Sequence, residues 1–231
     1  MSDIFREVEE DVRREQAKEL WDRFGAYVIG VAVLIVVVTA GWRGWEWYSA
    51  QQAAQAGAEY YEAMQLADDG KSEEAQAAFE AIAKEGGGFG TLARLRAAAG
   101  KAAAGDAQGA LADYDAIASN SALPVDLRNV ARVRAAYLQL EANDRAGVEQ
   151  RVGQMAVEGN PWRASARELL GLAAYQAGDY EVATQRFEEL LGDNETPQEM
   201  RARAQLMIAL LAADRAPAPA PTEADAATDA Q

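Results

Sequence analysis

The chain has 231 residues, with 37 acids against 22 bases, a formal net charge of −15, and neither His nor Cys. Those absences exclude a thiolate nucleophile, a disulfide, a zinc site built on Cys or His and a Ser-His-Asp triad; the acidity argues against a nucleic-acid partner, because like charges repel. Ala, the strongest helix former, is abundant and the β-branched residues gather in one place, so the composition predicts an all-α chain and points away from an enzyme or a cofactor site.

Residues 1–23 hold eight acids and five bases and are expected to form a cytosolic amphipathic tail. Ser2 or Asp3 can cap such a helix, with Ile4, Phe5, Val8 and Val12 on one face and Leu20, Trp21 and Phe24 on another. Arg23 and Arg43 then bracket 19 uncharged residues, 24–42. At 1.5 Å per residue they span roughly 28 Å, about the thickness of bilayer hydrocarbon, and are expected to form a transmembrane helix. A cleaved signal peptide would need a short basic start and a small-x-small cleavage site, and neither is present. A buried core helix would not be apolar on every face. Trp42, Arg43, Trp45, Trp47 and Tyr48 fit one membrane interface, and Trp21 and Tyr27 the other. Five Lys and Arg precede the span, whereas only Arg43 follows it before Lys71, which sets the N-terminus in the cytoplasm and the remainder across the membrane. Within the span Ala26 and Gly30 form a small-xxx-small pair, as Ala40 and Gly44 do at its end, which lets another helix approach.

Residues 43–213 carry a weak internal period. Leu170-Gly171, Tyr175, Gly178-Asp179-Tyr180, Ala183 and Phe187 resemble a tetratricopeptide repeat, with one residue more than the common spacing between Leu-Gly and Tyr. Fainter copies place a small or branched residue at 75, 110, 148 and 183, in steps of 35, 38 and 35. Gly70, Gly105, Asn143 and Gly178 stand where a turn needs positive φ. The fold expected is therefore all-α, with an N-terminal transmembrane helix and a tetratricopeptide-repeat-like α-solenoid of about four helix pairs plus a capping helix. Helices are predicted near 2–23, 24–68, 72–84, 89–104, 107–118, 125–142, 145–157, 161–177, 179–191 and 197–213. Residues 214–231, which end in APAPAPTEADAATDAQ, lack apolar bulk and read as a disordered Pro/Ala/acidic tail.

Solenoids bind peptides or protein segments in the groove lined by their first helices. Arg94 and Arg96, Arg132 and Arg134, Arg167, and Arg201 and Arg203 recur with the repeat, so they are candidates for a ladder binding the carboxylates of a partner. Salt bridging to acids of neighbouring helices is the competing role. Tyr137 and Tyr175 are aromatic candidates for the same groove, although tyrosines at helical spacing more often serve a core. Acid pairs such as Asp68-Asp69 and Glu188-Glu189 lack the Asp-rich loop of a calcium site, so no metal site is expected. Gly86-Gly87-Gly88 lacks the Gly-Lys-Ser/Thr ending of a phosphate loop.

A short N-terminal tail, one span, Gly41-Trp42-Arg43-x-Trp45, the segment Phe89-Gly90-Thr91-Leu92-Ala93 and the repeat at 169–179 together resemble the ancillary SecYEG translocon subunit family of bacterial inner membranes. The resemblance runs to about residue 213. It implies a single-pass inner-membrane protein with a periplasmic domain, whose partners are the SecYEG translocon, periplasmic chaperones and the lipid bilayer. The very acidic N-terminal tail, the high Ala content and the APAPAP segment depart from that family. A general cell-envelope assembly scaffold without translocon contact is the alternative.

Overall fold

The computed structural model describes the backbone of residues 3–214, with the side chains of Lys18 and of residues 21–213. The expected C-terminal tail from residue 215 on and the apolar face at Ile4, Phe5, Val8 and Val12 lie outside the described residues. Those described are helical, without a strand, and divide into two compact units, Met1–Tyr61 and Glu62–Gln231.

Helix α1 (Asp3–Asp68) makes up the first unit, and its last residues, 62–68, belong to the second. The helix runs through residues 23 and 24, where the sequence reading ended one helix and began another. No proline interrupts it, and Gly25 is covered by the indole of Trp21; a Cβ at Gly25 would stand 3.2 Å from that ring. Between Trp21 and Tyr48 the large apolar side chains are exposed on all sides of the helix. Only 6% of its most apolar 18-residue window is buried, so it is not the core helix of the unit. By length and composition it can cross a membrane. The hydroxyl of Thr39 donates to the Ile35 carbonyl at 2.7 Å, which satisfies a polar group inside the apolar stretch.

The second unit stacks α2 (Ser72–Glu85), α3 (Gly87–Ala103), α4 (Ala107–Ser119), α5 (Val125–Glu141), α6 (Arg145–Val152), α7 (Arg163–Gln176), α8 (Tyr180–Gly192) and α9 (Gln198–Asp214). Each packs on the next, and α7 also touches α5 and α9. Helix α6 ends five residues earlier than predicted. Gly153, a poor helix former, opens a 3-10 turn, Gly153–Met155, that buries Met155. Helix α7 begins at Arg163 rather than 161, because Pro161 and an Asn160 side chain that accepts the Trp162 N–H hold a turn there. Helix α3 begins two residues early, at Gly87.

The repeat has a physical basis. The second-helix residues Ala75, Ala110, Val148 and Ala183 are all buried, and so are Phe79, Tyr114, Val152 and Phe187 four places on. Twelve residues before each of the first set lies a small buried residue, Ala63, Ala98, Ala136 or Gly171. Small residues at these places let helices cross closely. At Gly171 a Cβ would come within 3.0 Å of the Phe187 ring, which is 1% exposed and has no room to yield. Fully burying a side chain like Phe187 stabilises by about 1.5–3 kcal/mol. Gly90 does the same between α2 and α3, where a Cβ would meet the Ile82 carbonyl at 3.2 Å. Within the Phe89-Gly90-Thr91-Leu92-Ala93 segment, Gly90 thus serves helix crossing.

The turns between paired helices are equally regular. Gly70, Gly105, Asn143 and Gly178 have φ of 79°, 89°, 56° and 76°, and the N–H of the next residue bonds five residues back in each case. Asn tolerates this conformation better than other side-chain-bearing residues. Asp106, Asp144 and Asp179 follow and cap α4, α6 and α8 by accepting the N–H groups of Gly109, Gly147 and Val182. Lys71 holds the equivalent place before α2 and makes no side-chain cap.

Candidate functional site

The recurring arginines separate into groups. Arg94 and Arg96 of α3 and Arg134 of α5 are exposed. Arg132 donates to the side chain of Asn129, which is itself buried, within α5 at 2.9 Å. Arg167 and Arg201 turn towards the connection between α8 and α9. There the Arg167 Nη1 donates to Asp193 at 3.0 Å and its Nε to the Ala156 carbonyl at 3.1 Å. Arg201 donates to the carbonyls of Asp193 and Thr196 at 3.2 and 3.3 Å.

Arg163, which was not singled out from the sequence, is the centre of this network. It grips both carboxylate oxygens of Asp193 and also donates to Glu195. The Arg163 and Asp193 side chains are only 12% and 14% exposed. The Arg163 hydrogen bond, supported by the Glu195 backbone N–H, holds the Asp193 carboxyl well below the usual carboxylate range. A polar cleft of about 550 Å³ opens here between Glu158, Arg163, Arg167, Glu189, Asp193 and Glu195. Arg163 and Arg167 are already matched by neighbouring carboxylates, so this cleft joins α7 to the α8–α9 connection.

A second cleft, about 500 Å³, is of a different kind. Its lining is mostly apolar: Tyr137 from α5, Leu172 from α7, Phe187 from α8, and Leu206 and Met207 from α9, with Glu168 and Arg203 at its polar edge. Glu168 is 5% exposed, and Arg203 binds it through Nε and Nη2 at 2.6 and 3.0 Å. A buried carboxylate needs such a partner, so this pair fixes α9 against α7. Tyr137 is half-buried at the mouth. Burial pushes its phenol up, with Glu168 adding to the shift and Arg203 and Arg134 opposing it. Tyr175 is elsewhere: it packs in the α7–α8–α9 core with its ring 5.7 Å from that of Tyr180.

The structure therefore brings Tyr137, Arg134 and Arg203 together and directs Arg167, Arg201 and Tyr175 away from them. Sequence reasoning missed Glu168, Leu172, Leu206 and Met207. One signal was present, since Glu168 and Arg203 are 35 residues apart, one repeat step. On α1, Trp21, Trp42, Trp45 and Trp47 are exposed, and Arg43 pairs with Glu46 at 3.1 Å. Among the described residues no group of three or more acids is arranged to hold a metal ion.

Stacked helix pairs with small residues at each crossing, and an apolar cleft lined mainly by first helices, define a helical-repeat solenoid. The chain belongs to the tetratricopeptide repeat-like domain family, whose pattern it matches over residues 18–213. No curated protein and no solved structure shows significant similarity to it. Domains of this class are typically non-catalytic modules for binding other proteins, and the chain carries such a module.

Proposed function

We propose that this protein is a single-pass inner-membrane protein that binds other proteins beside the SecYEG translocon and helps pass translocated envelope proteins to periplasmic chaperones. Residues 1–23 form the cytosolic tail, 24–42 the span, 43–213 the periplasmic repeat domain and 214–231 the tail. The observation that carries the reading is the pairing of a repeat module with a helix whose apolar residues are exposed on all sides. The bias of Lys and Arg to the N-terminal side of the span supports the orientation. The translocon assignment is supported by the resemblance carried by Gly41-Trp42-Arg43-x-Trp45 and Phe89-Gly90-Thr91-Leu92-Ala93. The mechanism is effective concentration: an anchored binder is held where its clients emerge.

The test is photocrosslinking in cells from single positions in the span, such as Val33 and Val37, with identification of the captured protein. Capture of a translocon channel subunit is expected. Capture of abundant membrane neighbours without any channel subunit overturns the translocon reading and favours a general envelope scaffold.

A further inference from the structure

In a complete helix pair, the segment that follows the first helix covers that helix's remaining apolar side. On α7 this side includes Gly171, Ala174 and Tyr175, which meet α8 through Ala183 and Phe187. The Glu168–Arg203 pair relates α7 to α9 by 35 residues. At that step Gly171, Ala174 and Tyr175 correspond to Leu206, Ala209 and Leu210. Within the described residues nothing covers them: Leu206 is 71% and Leu210 42% exposed, and Ala209 and Ala213 are exposed too. This apolar stripe is continuous with the cleft through Leu206. Leu206 also occupies the place of a small crossing residue, so another helix cannot approach there as α8 approaches α7.

The segment that follows α9 has the chemistry for this stripe. Pro217, Pro219 and Pro221 lack backbone N–H groups, which bars the second helix of a fifth pair. Alternating Ala and Pro favours the extended polyproline conformation, which needs no internal hydrogen bonds and docks on aromatic and apolar grooves. The distances match. Leu206 lies about 12 Å back from Asp214 along the helix. Pro221 lies about 22 Å beyond Asp214 when extended. A chain that reverses at Arg215 and Ala216 therefore runs back along Leu210 and Leu206 to the mouth of the cleft. Glu223 and Asp225 come next in the chain. Arg134 stands at that mouth beside Tyr137, exposed and without an ion pair among the described residues.

We propose that residues 215–231 bind in cis along α9. The Ala-Pro run lies on Leu206, Ala209 and Leu210, and Glu223 or Asp225 pairs with Arg134, so that an extended segment covers the face that a second helix covers in the complete pairs. The short tether gives a high effective concentration, so a weak contact suffices. An external protein segment entering the cleft competes with the tail, a consequence that rests on the binding function proposed above.

The absence of native cysteine makes a single introduced thiol an unambiguous probe. Leu210→Cys and, separately, Ala209→Cys are placed in the full-length protein in lipid nanodiscs, and their rates of reaction with a maleimide are measured. Each is compared with the same protein carrying a Gly-Ser sequence of equal length in place of 215–231. Labelling about fivefold faster or more after the replacement is expected at both positions, with no change at Ser72→Cys on α2. Equal rates with the native and the Gly-Ser segment overturn the proposal. Mild oxidation of the Ala209→Cys, Ala218→Cys double variant is expected to close an intrachain disulfide. A covalent dimer formed in its place shows that a second copy covers the stripe and also overturns the proposal. Neither readout depends on translocon capture, so the two hypotheses fail independently.

Discussion

Asp193 shows how a single carboxylate organises the end of the repeat. It receives Arg163 and Arg167, while its own carbonyl accepts from Arg201, so α7 and α9 are tied through one connection. Its folded pKa lies below the unfolded value of 3.8, chiefly because Arg163 hydrogen-bonds the charged form. A group shifted in that direction contributes stability that is present above the unfolded pKa and is lost as pH falls towards the folded one. Asp193→Asn is therefore expected to lower Tm at pH 7, and the gap from the native protein should close as pH falls below about 4. Thermal unfolding followed by circular dichroism across pH 2–7 measures this; a gap of constant size is the opposing result. The arginines at 167 and 201 were legible as a recurring set, but their direction was not. Sequence spacing places a side chain on a helix face, whereas its partner is decided by which acids the next turn brings within about 3 Å.

The second helices share one device for their start. A residue with positive φ reverses the chain, and an Asp directly after it caps α4, α6 or α8. Removing a side-chain cap costs about 1 kcal/mol, so Asp106→Ala, Asp144→Ala and Asp179→Ala should each lower stability by roughly that amount in urea unfolding. Lys71→Asp should instead stabilise by about 0.5–1 kcal/mol, because α2 gains the cap that its relatives have. If Lys71→Asp destabilises, the four turns are not equivalent. These turns were readable in advance, since Gly and Asn at positive φ and Asp at a cap are local requirements. The end of α6 was not, because Gly153 breaks that helix in company with the burial of Met155, a demand of the packed core.

For the molecule as a whole, the −15 charge is unevenly placed. Residues 1–23 carry −3 (five bases less eight acids), and the remainder is acidic, with Arg203 at the polar edge of the apolar cleft. Orientation follows the Lys and Arg count and not the net charge. A fusion of a compartment-specific reporter after residue 213 is thus expected to be active in the periplasm only. Activity in the cytoplasm would reverse the topology and remove the translocon exit site as the place of action. The all-helical fold and the second-helix steps of 35, 38 and 35 were visible from Ala75, Ala110, Val148 and Ala183. Their first-helix counterparts were harder to see, because Ala63, Ala98 and Ala136 are three alanines in a chain full of them.

Local chemistry accounts for most of what can be read from the linear chain: helix content from Ala, turns from Gly and Asn, caps from Asp, and the apolar helix from a run of Val, Ile and Leu without charge. Each depends on residues within one or two turns of one another, so no distant contact is needed to infer it. The cleft is different. Tyr137, Glu168, Leu172, Leu206 and Met207 come from three helices, and they converge only once Ala136, Gly171 and Ala183 have set how closely those helices cross. The same packing decides which arginines are spent inside the solenoid and leaves Arg134 at the mouth of the cleft. Charge and apolar surface were evident in the composition, but their convergence into one cleft required the stacking of successive repeats.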